Sequence, residues 1–187
     1  MKPLFGFFNH TLLARAGLAM GVITVLAVAG MASAVFIARI SYGEASAVNI
    51  AGSLRMQSYR IATALEARRN GDFITSKDIE DLSDEFESRF NDPLLTGAVT
   101  GVDNQSLQRI YSLVESRWRL AVSPLIKAFI QEIETGTSAA SLDRTSRNFH
   151  TLIKSFVNDI DKLVYQLEET AESRIHLLGL MQGISLL

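Results

Sequence analysis

The chain has 187 residues, room for one domain of ordinary size plus a membrane segment, and a net charge of −2, which leaves no basic surface field to attract nucleic acid. Cysteine is absent, and that excludes disulfides, zinc–thiolate sites and cysteine nucleophiles. Three prolines and twelve glycines are few for a loop-rich or all-β chain; the 48% hydrophobic content is high for a soluble domain, and the excess sits at the two ends.

Ala16 to Ala38 runs for 23 residues without a charge. At 1.5 Å per residue this exceeds the roughly 20 residues that cross a bilayer core. Lys2 and Arg15 precede it, so the positive-inside bias assigns residues 1–15 to the cytoplasm and the residues beyond the span to the extracytoplasmic side. A cleaved signal peptide is the alternative, because Ala32-Ser33-Ala34 fits a processing site. Against it, the apolar stretch is longer than an ordinary signal core, and the helical pattern continues past the site. At the other end Ile175–Leu187 forms a second apolar run, too short to span. It reads as the start of a second transmembrane helix, which makes residues 39–174 an extracytoplasmic domain between two spans, periplasmic if the membrane is a bacterial inner membrane.

Four helices are predicted in that domain. The first continues out of the span from Arg39 to about Asn70, where Asn70-Gly71 is a good stop. The second opens at Thr75 or Ser76, with Asp78 and Glu80 in its first turn to suit the helix dipole, and closes before Asn91-Asp92-Pro93. Residues 91–103 read as a loop by their Pro, Gly and Asp content. The third runs from about Asn104 to Glu134, kinked at Pro124 and ended by Gly136. The fourth starts near Ser138 or Ser141; its Phe149, Ile153, Phe156, Ile160, Leu163 and Leu167 recur at steps of four and three, the seam of packed helices. No window alternates with period two. The fold class is therefore all-α: an antiparallel up-down four-helix bundle whose outer helices continue into the spans.

The first helix departs from an ordinary amphipathic pattern. Ala45, Val48, Gly52, Arg55, Tyr59 and Ala62 share one face, small enough for another helix to approach closely, yet with an arginine in its middle. Ile50, Leu54, Ile61 and Leu65 lie on another side and serve the protomer's own core. Gly52 costs a helix roughly 1 kcal/mol relative to alanine, so it calls for a packing or ligand reason. On periodicity alone Arg55 and Arg60 read as surface arginines on a solvated face, paired with neighbours such as Glu66. The functional reading is a symmetric anion clamp. If two copies pack through the small face, the two Arg55 side chains meet near the dyad. At ~7 Å and an effective dielectric of about 20 they repel by about 2 kcal/mol, whereas an anion ~4 Å from both gains about 4 with each. Planar guanidinium forks suit a planar oxyanion.

Residues 49–60, Asn-Ile-Ala-Gly-Ser-Leu-Arg-Met-Gln-Ser-Tyr-Arg, closely resemble the P-box of the nitrate/nitrite sensor histidine kinases, the NarX/NarQ family, and the same motif opens the related PilJ-type sensor domain of some chemotaxis transducers. Trp118 a few residues before Pro124, and a fourth helix entering a span, agree in layout. The resemblance covers residues 16–187 in architecture and 49–60 in motif. It implies a homodimer that binds one nitrate or nitrite between its two first helices, with contacts falling on Gly52 and Arg55, and Arg60 a nearby participant. Arg55 and Arg60 are about 140° apart around the helix, so both cannot point at a dyad without bending. This assigns Arg60 to support or to an ion pair between protomers. The implied output is a two-component phosphorelay, with a response regulator reached only through a cytoplasmic kinase outside these residues; the other effector the motif allows is a chemotaxis signalling domain without a kinase.

Other constellations carry little chemistry. His10, His150 and His176 are scattered and lack metal-ligand spacing with one another. Asp81, Asp84, Glu85 and Glu87 read as the solvated face of the second helix. Phosphate loops and nucleophile–base pairs are absent, so no catalytic residues, metal or cofactor are expected in this chain.

Overall fold

A computed structural model gives the backbone of residues 12–185 and the side chains of residues 14–35, 38, 39 and 42–174. Among them regular structure is entirely helical: α1 (Leu12–Arg69), α2 (Ser76–Phe90), α3 (Pro93–Thr100), α4 (Gln105–Arg117), a π-helical turn (Trp118–Val122), α5 (Ser123–Glu134) and α6 (Ala139–Ser185). The all-α bundle expected from periodicity is the fold found. The chain forms two compact units, residues 1–41 and 42–187. Most of the predicted cytoplasmic tail, and the apolar side chains of 175–187, lie outside the described residues.

In the first unit Ala14–Val35 is long and apolar enough to cross a membrane, within a few residues of the span read from sequence. Leu18, Met20, Val25 and Met31 are all bare. A helix that is apolar all round and unburied belongs in an apolar medium, consistent with a membrane-anchored protein.

The second unit is built on helix ends that satisfy their own backbone. At the end of α1, Asp72 N–H bonds Ala67 O (3.0 Å) and Gly71 N–H bonds Arg68 O (3.2 Å), with Gly71 at φ +85°. This cap needs a left-handed residue, which is why glycine follows Asn70. Gly136 (φ +67°) ends α5 in the same way. Thr75 caps α2 reciprocally: its hydroxyl accepts from Asp78 N–H, and the Asp78 carboxylate accepts from Thr75 N–H.

Two expectations need correction. Residues 91–103 are not a plain loop: α3 occupies Pro93–Thr100. Asp92 accepts from Leu94 N–H as N-cap, Pro93 takes the first turn where its missing N–H is no loss, and Leu95 and Val99 are both buried. The breakers in this stretch mark a helix start. Nor is Pro124 a simple kink in one long helix. Pro124 has no N–H to give Leu120 O, and the chain widens just before it into the π turn, where Ser123 N–H reaches back five residues to Trp118 O.

The core is aromatic at its middle. Phe86 of α2 is fully buried, stacks on Trp118 at 3.9 Å and lies 5.7 Å from Phe156 of α6. The Trp118 indole N–H donates to Glu87 (2.9 Å), so the ring is held at both its apolar body and its polar edge. All six residues of the α6 seam are buried, as their spacing predicts. Arg117 reaches across from α4 to the buried Asp159 of α6 (2.6 Å), which also takes Lys162 (3.0 Å).

Between α1 and α6 runs an antiparallel ladder of polar contacts: the ion pairs Glu44–Arg174 (3.1 Å), Arg55–Asp161 (2.9 Å) and Arg69–Asp143, and the Glu66–His150 hydrogen bond (3.2 Å). Burial by itself would raise the Glu66 carboxyl, but Ser146, Arg69 and His150 together hold it below its ordinary value.

Replacing Phe86 by alanine is expected to cost about 3–5 kcal/mol in denaturant unfolding, because ring stacking and transfer are lost together and leave a cavity. A depressed glutamate contributes stability that is present above its unfolded value and lost as pH falls through the folded one. The acid limb of the stability curve should therefore steepen below pH 4.5, the ordinary glutamate value. Glu66→Gln should flatten that limb in pH-resolved thermal unfolding; an unchanged limb would remove Glu66 as its source.

Candidate functional site

The segment singled out by motif lies on α1 inside the second unit, where the helix carries two stripes of the same period. Ala47, Ala51, Leu54, Ser58, Ile61 and Leu65 recur at steps of four and three and each is 0% exposed. Two positions earlier along the chain, about 200° round the helix, Ala45, Asn49, Gly52, Met56, Tyr59 and Thr63 form a second stripe, half-buried at Gly52 and exposed elsewhere. Met56 and Tyr59 are 66% and 52% exposed there, a considerable apolar area on a helix whose other face is sealed.

This corrects the face read from the sequence. Ala45, Gly52, Arg55 and Tyr59 do face outward, but Val48 packs against the core and Ala62 is buried. Small residues occur on both sides of α1, so size alone misplaced two of the six by about a quarter turn. Leu54, Ile61 and Leu65 serve the core as expected, and Ile50 packs at its margin.

A Cβ added at Gly52 would meet, among the described residues, only the Arg55 guanidinium, at an ordinary 3.8 Å. Among the described residues, therefore, nothing requires glycine at this position. Arg55 lies one turn on and is half exposed; its guanidinium pairs with Asp161 of α6 at 2.9 Å and leans weakly on Gly52 O at 3.5 Å. Arg60 takes the other direction, toward α2: it donates to Gln57 Oε1 (3.0 Å) and faces Glu85 at 3.5 Å. The Glu85 carboxyl is held below its ordinary value by hydrogen bonds from Arg89 and Gln57. The two arginines are thus drawn to opposite neighbours and share no partner. Glu66, suggested by sequence as a neutraliser for them, is engaged instead by Arg69, Ser146 and His150.

Three residues of this neighbourhood escaped sequence reasoning. Gln57 is buried and ties α1 to Leu82 O of α2 at 3.3 Å. Glu85 was read as solvated face, which holds for Asp81, Asp84 and Glu87 by exposure but misses its arginine partners. Asp161 lies 106 residues from Arg55 and beside the apolar seam of α6; the one available signal was an acid flanking Ile160 and Leu163.

A helical bundle that leaves a periodic face of one helix bare, with an exposed guanidinium beside it and an apolar span at the start of that helix, has the form of a sensory input domain of a signalling protein. Residues 36–147, more than half of the chain, match the family described as the N-terminal part of type IV pili methyl-accepting chemotaxis transducers, PilJ, and the chain belongs to that family. No curated protein gives a significant match.

Because Gly52 has open space around it, Gly52→Ala is expected to leave the dilute protein as stable or more stable, by up to about 1 kcal/mol, through helix propensity. Thermal unfolding at low protein concentration checks this. A loss of stability there would mean that the protomer itself needs the glycine.

Proposed function

We propose that this chain is the sensor portion of a membrane-bound signalling protein that binds nitrate or nitrite between two copies of α1 and relays the event through the inner membrane, with residues 39–174 in the periplasm. The observation that carries the reading is the bare face of α1. Its small residues admit a second helix, its central glycine has no function inside the protomer, and Arg55 stands exposed at its edge. Two such faces related by a dyad bring two guanidiniums together, an arrangement that repels when empty and coheres around an oxyanion. Gly52 and Arg55 are then the contacts, and Arg60, held by Glu85 and Gln57, stiffens the α1–α2 side.

For the effector, the resemblance of residues 49–60 to the P-box favours a histidine kinase of the nitrate/nitrite type feeding a response regulator. The family match favours a second reading, a chemotaxis transducer that drives a signalling coiled coil without a kinase. An ATP-dependent autophosphorylation assay on the protein as its own cell makes it separates the two, because only the first reading requires a kinase.

Arg55→Ala is expected to abolish nitrate binding in titration calorimetry while the bundle remains folded, and Arg55→Lys to weaken it strongly, keeping charge without the fork. Arg60→Ala should have the smaller effect. One anion per two chains is expected, and nitrate should tighten dimerisation by about 2.7 kcal/mol at a hundredfold excess over Kd. Sedimentation with and without nitrate measures that linkage. One anion per chain, or a dimer constant indifferent to nitrate, would overturn the dyad site.

A further inference from the structure

Arg55 is already occupied. Its guanidinium is bonded at 2.9 Å to the Asp161 carboxylate of α6, its one acidic partner among the described residues. A carboxylate and a small planar oxyanion offer a guanidinium the same thing: two oxygens sharing one negative charge in a plane. We propose that Asp161 is a built-in competitor for the anion site, a positioning residue that holds Arg55 against α6 until an external oxyanion displaces it. The proposal rests on the reading of Arg55 as the anion contact and adds to it which group sets the affinity and which helix is released.

Three features support competition over a purely structural bridge. Both partners are half exposed, 48% and 46%, so the pair is screened by water and can open without stranding a charge in the core. Asp161 also lines an open depression with Ser106, Ile110, Tyr165 and Gln166, so the freed carboxylate has solvent to face. The neighbouring acid on α6 behaves differently. Asp159 is buried and held by Arg117 and Lys162, and that carboxylate performs the structural bridging in this stretch of the helix.

The size of the effect is set by the fraction of Arg55 that is free. Apparent affinity falls by that fraction. An exposed pair of this kind favours the closed form by a factor of about 1.4 to 5. Two arginines must open for one dyad anion, so the penalty is roughly six- to thirty-sixfold.

The experiment is calorimetric titration of the full 187-residue chain in detergent with sodium nitrate, for the wild type, Asp161→Asn, Asp161→Glu and Glu168→Gln. Asp161→Asn is expected to bind nitrate about six- to thirty-sixfold more tightly. Asp161→Glu, which restores the competitor, should return most of the wild-type affinity. Glu168→Gln removes the same charge from α6 at an exposed position two turns on, and should leave the affinity unchanged. Equal gains from Asp161→Asn and Glu168→Gln would reduce the effect to long-range charge and overturn competition. Unaltered or weaker binding by Asp161→Asn would overturn it as well, with the anion site itself intact. No nitrate binding by any of the four proteins would instead remove the underlying reading of Arg55, and competition with it.

Discussion

One helix, α1, has to bury one face and present the other, and the rest of the sensory unit is arranged around that division. The buried stripe begins small, at Ala47 and Ala51, and becomes large at Leu54, Ile61 and Leu65, all without solvent contact. Exposing any of the large residues forfeits about 1.5–3 kcal/mol apiece. Rotation of α1 about its own axis is therefore the motion the bundle resists most. The bare stripe stays where the buried one fixes it, about 200° away. A partner helix or a ligand addressing that stripe meets a rigid surface, and what remains to α1 is displacement along or across its axis as one body.

The contacts that hold the unit together differ in kind from those on the bare side. Phe86, Trp118 and Phe156 interlock α2, the π turn and α6 in a dry core. Asp159, buried and doubly paired, pins the end of α4 immediately before the π turn. Taking away one partner of a buried pair leaves an uncompensated charge, so this contact is costly to break even if its net contribution is small. The pairs between α1 and α6 are more exposed and individually weak, of order 1 kcal/mol or less. Strength is thus concentrated among α2, α4 and α6, while α1 is secured by its apolar stripe and only trimmed by charge.

How much of this the sequence disclosed depended on how local the signal was. The α6 seam, the Asn70-Gly71 stop and the Thr75 cap are each written within a few residues, and each was legible. Helix α3 was missed because Asp92, Pro93 and Gly97 were weighed as breakers, although Asp-Pro is also a cap followed by a first turn and Leu95 and Val99 lie one turn apart. The widening at Trp118–Val122 needed the geometry of the backbone, since a proline announces a lost hydrogen bond without saying how the chain absorbs it. The candidate site divides in the same manner. Gly52, Arg55 and Arg60 stood out within one dozen-residue motif. Which way each arginine leans was set by Asp161 and Glu85 on other helices, and nothing local could announce partners so distant.

The α1–α6 ladder has a gradient that bears on how a local event could travel. At its Arg69 end the pairs sit in a cluster with Ser146, Glu66 and His150, several bonds deep. At the opposite end Glu44 is only 11% exposed, and its partner Arg174 also donates to Gly101 O at 2.6 Å, so α1, α6 and the end of α3 share one side chain. Between these two fastenings the Arg55–Asp161 rung is the most exposed and the least backed by neighbours. A perturbation at Arg55 therefore opens the ladder in its middle, where little else must break. A displacement of α1 that starts at Arg55 meets its least resistance there, because the rungs on either side are tied to more than one partner.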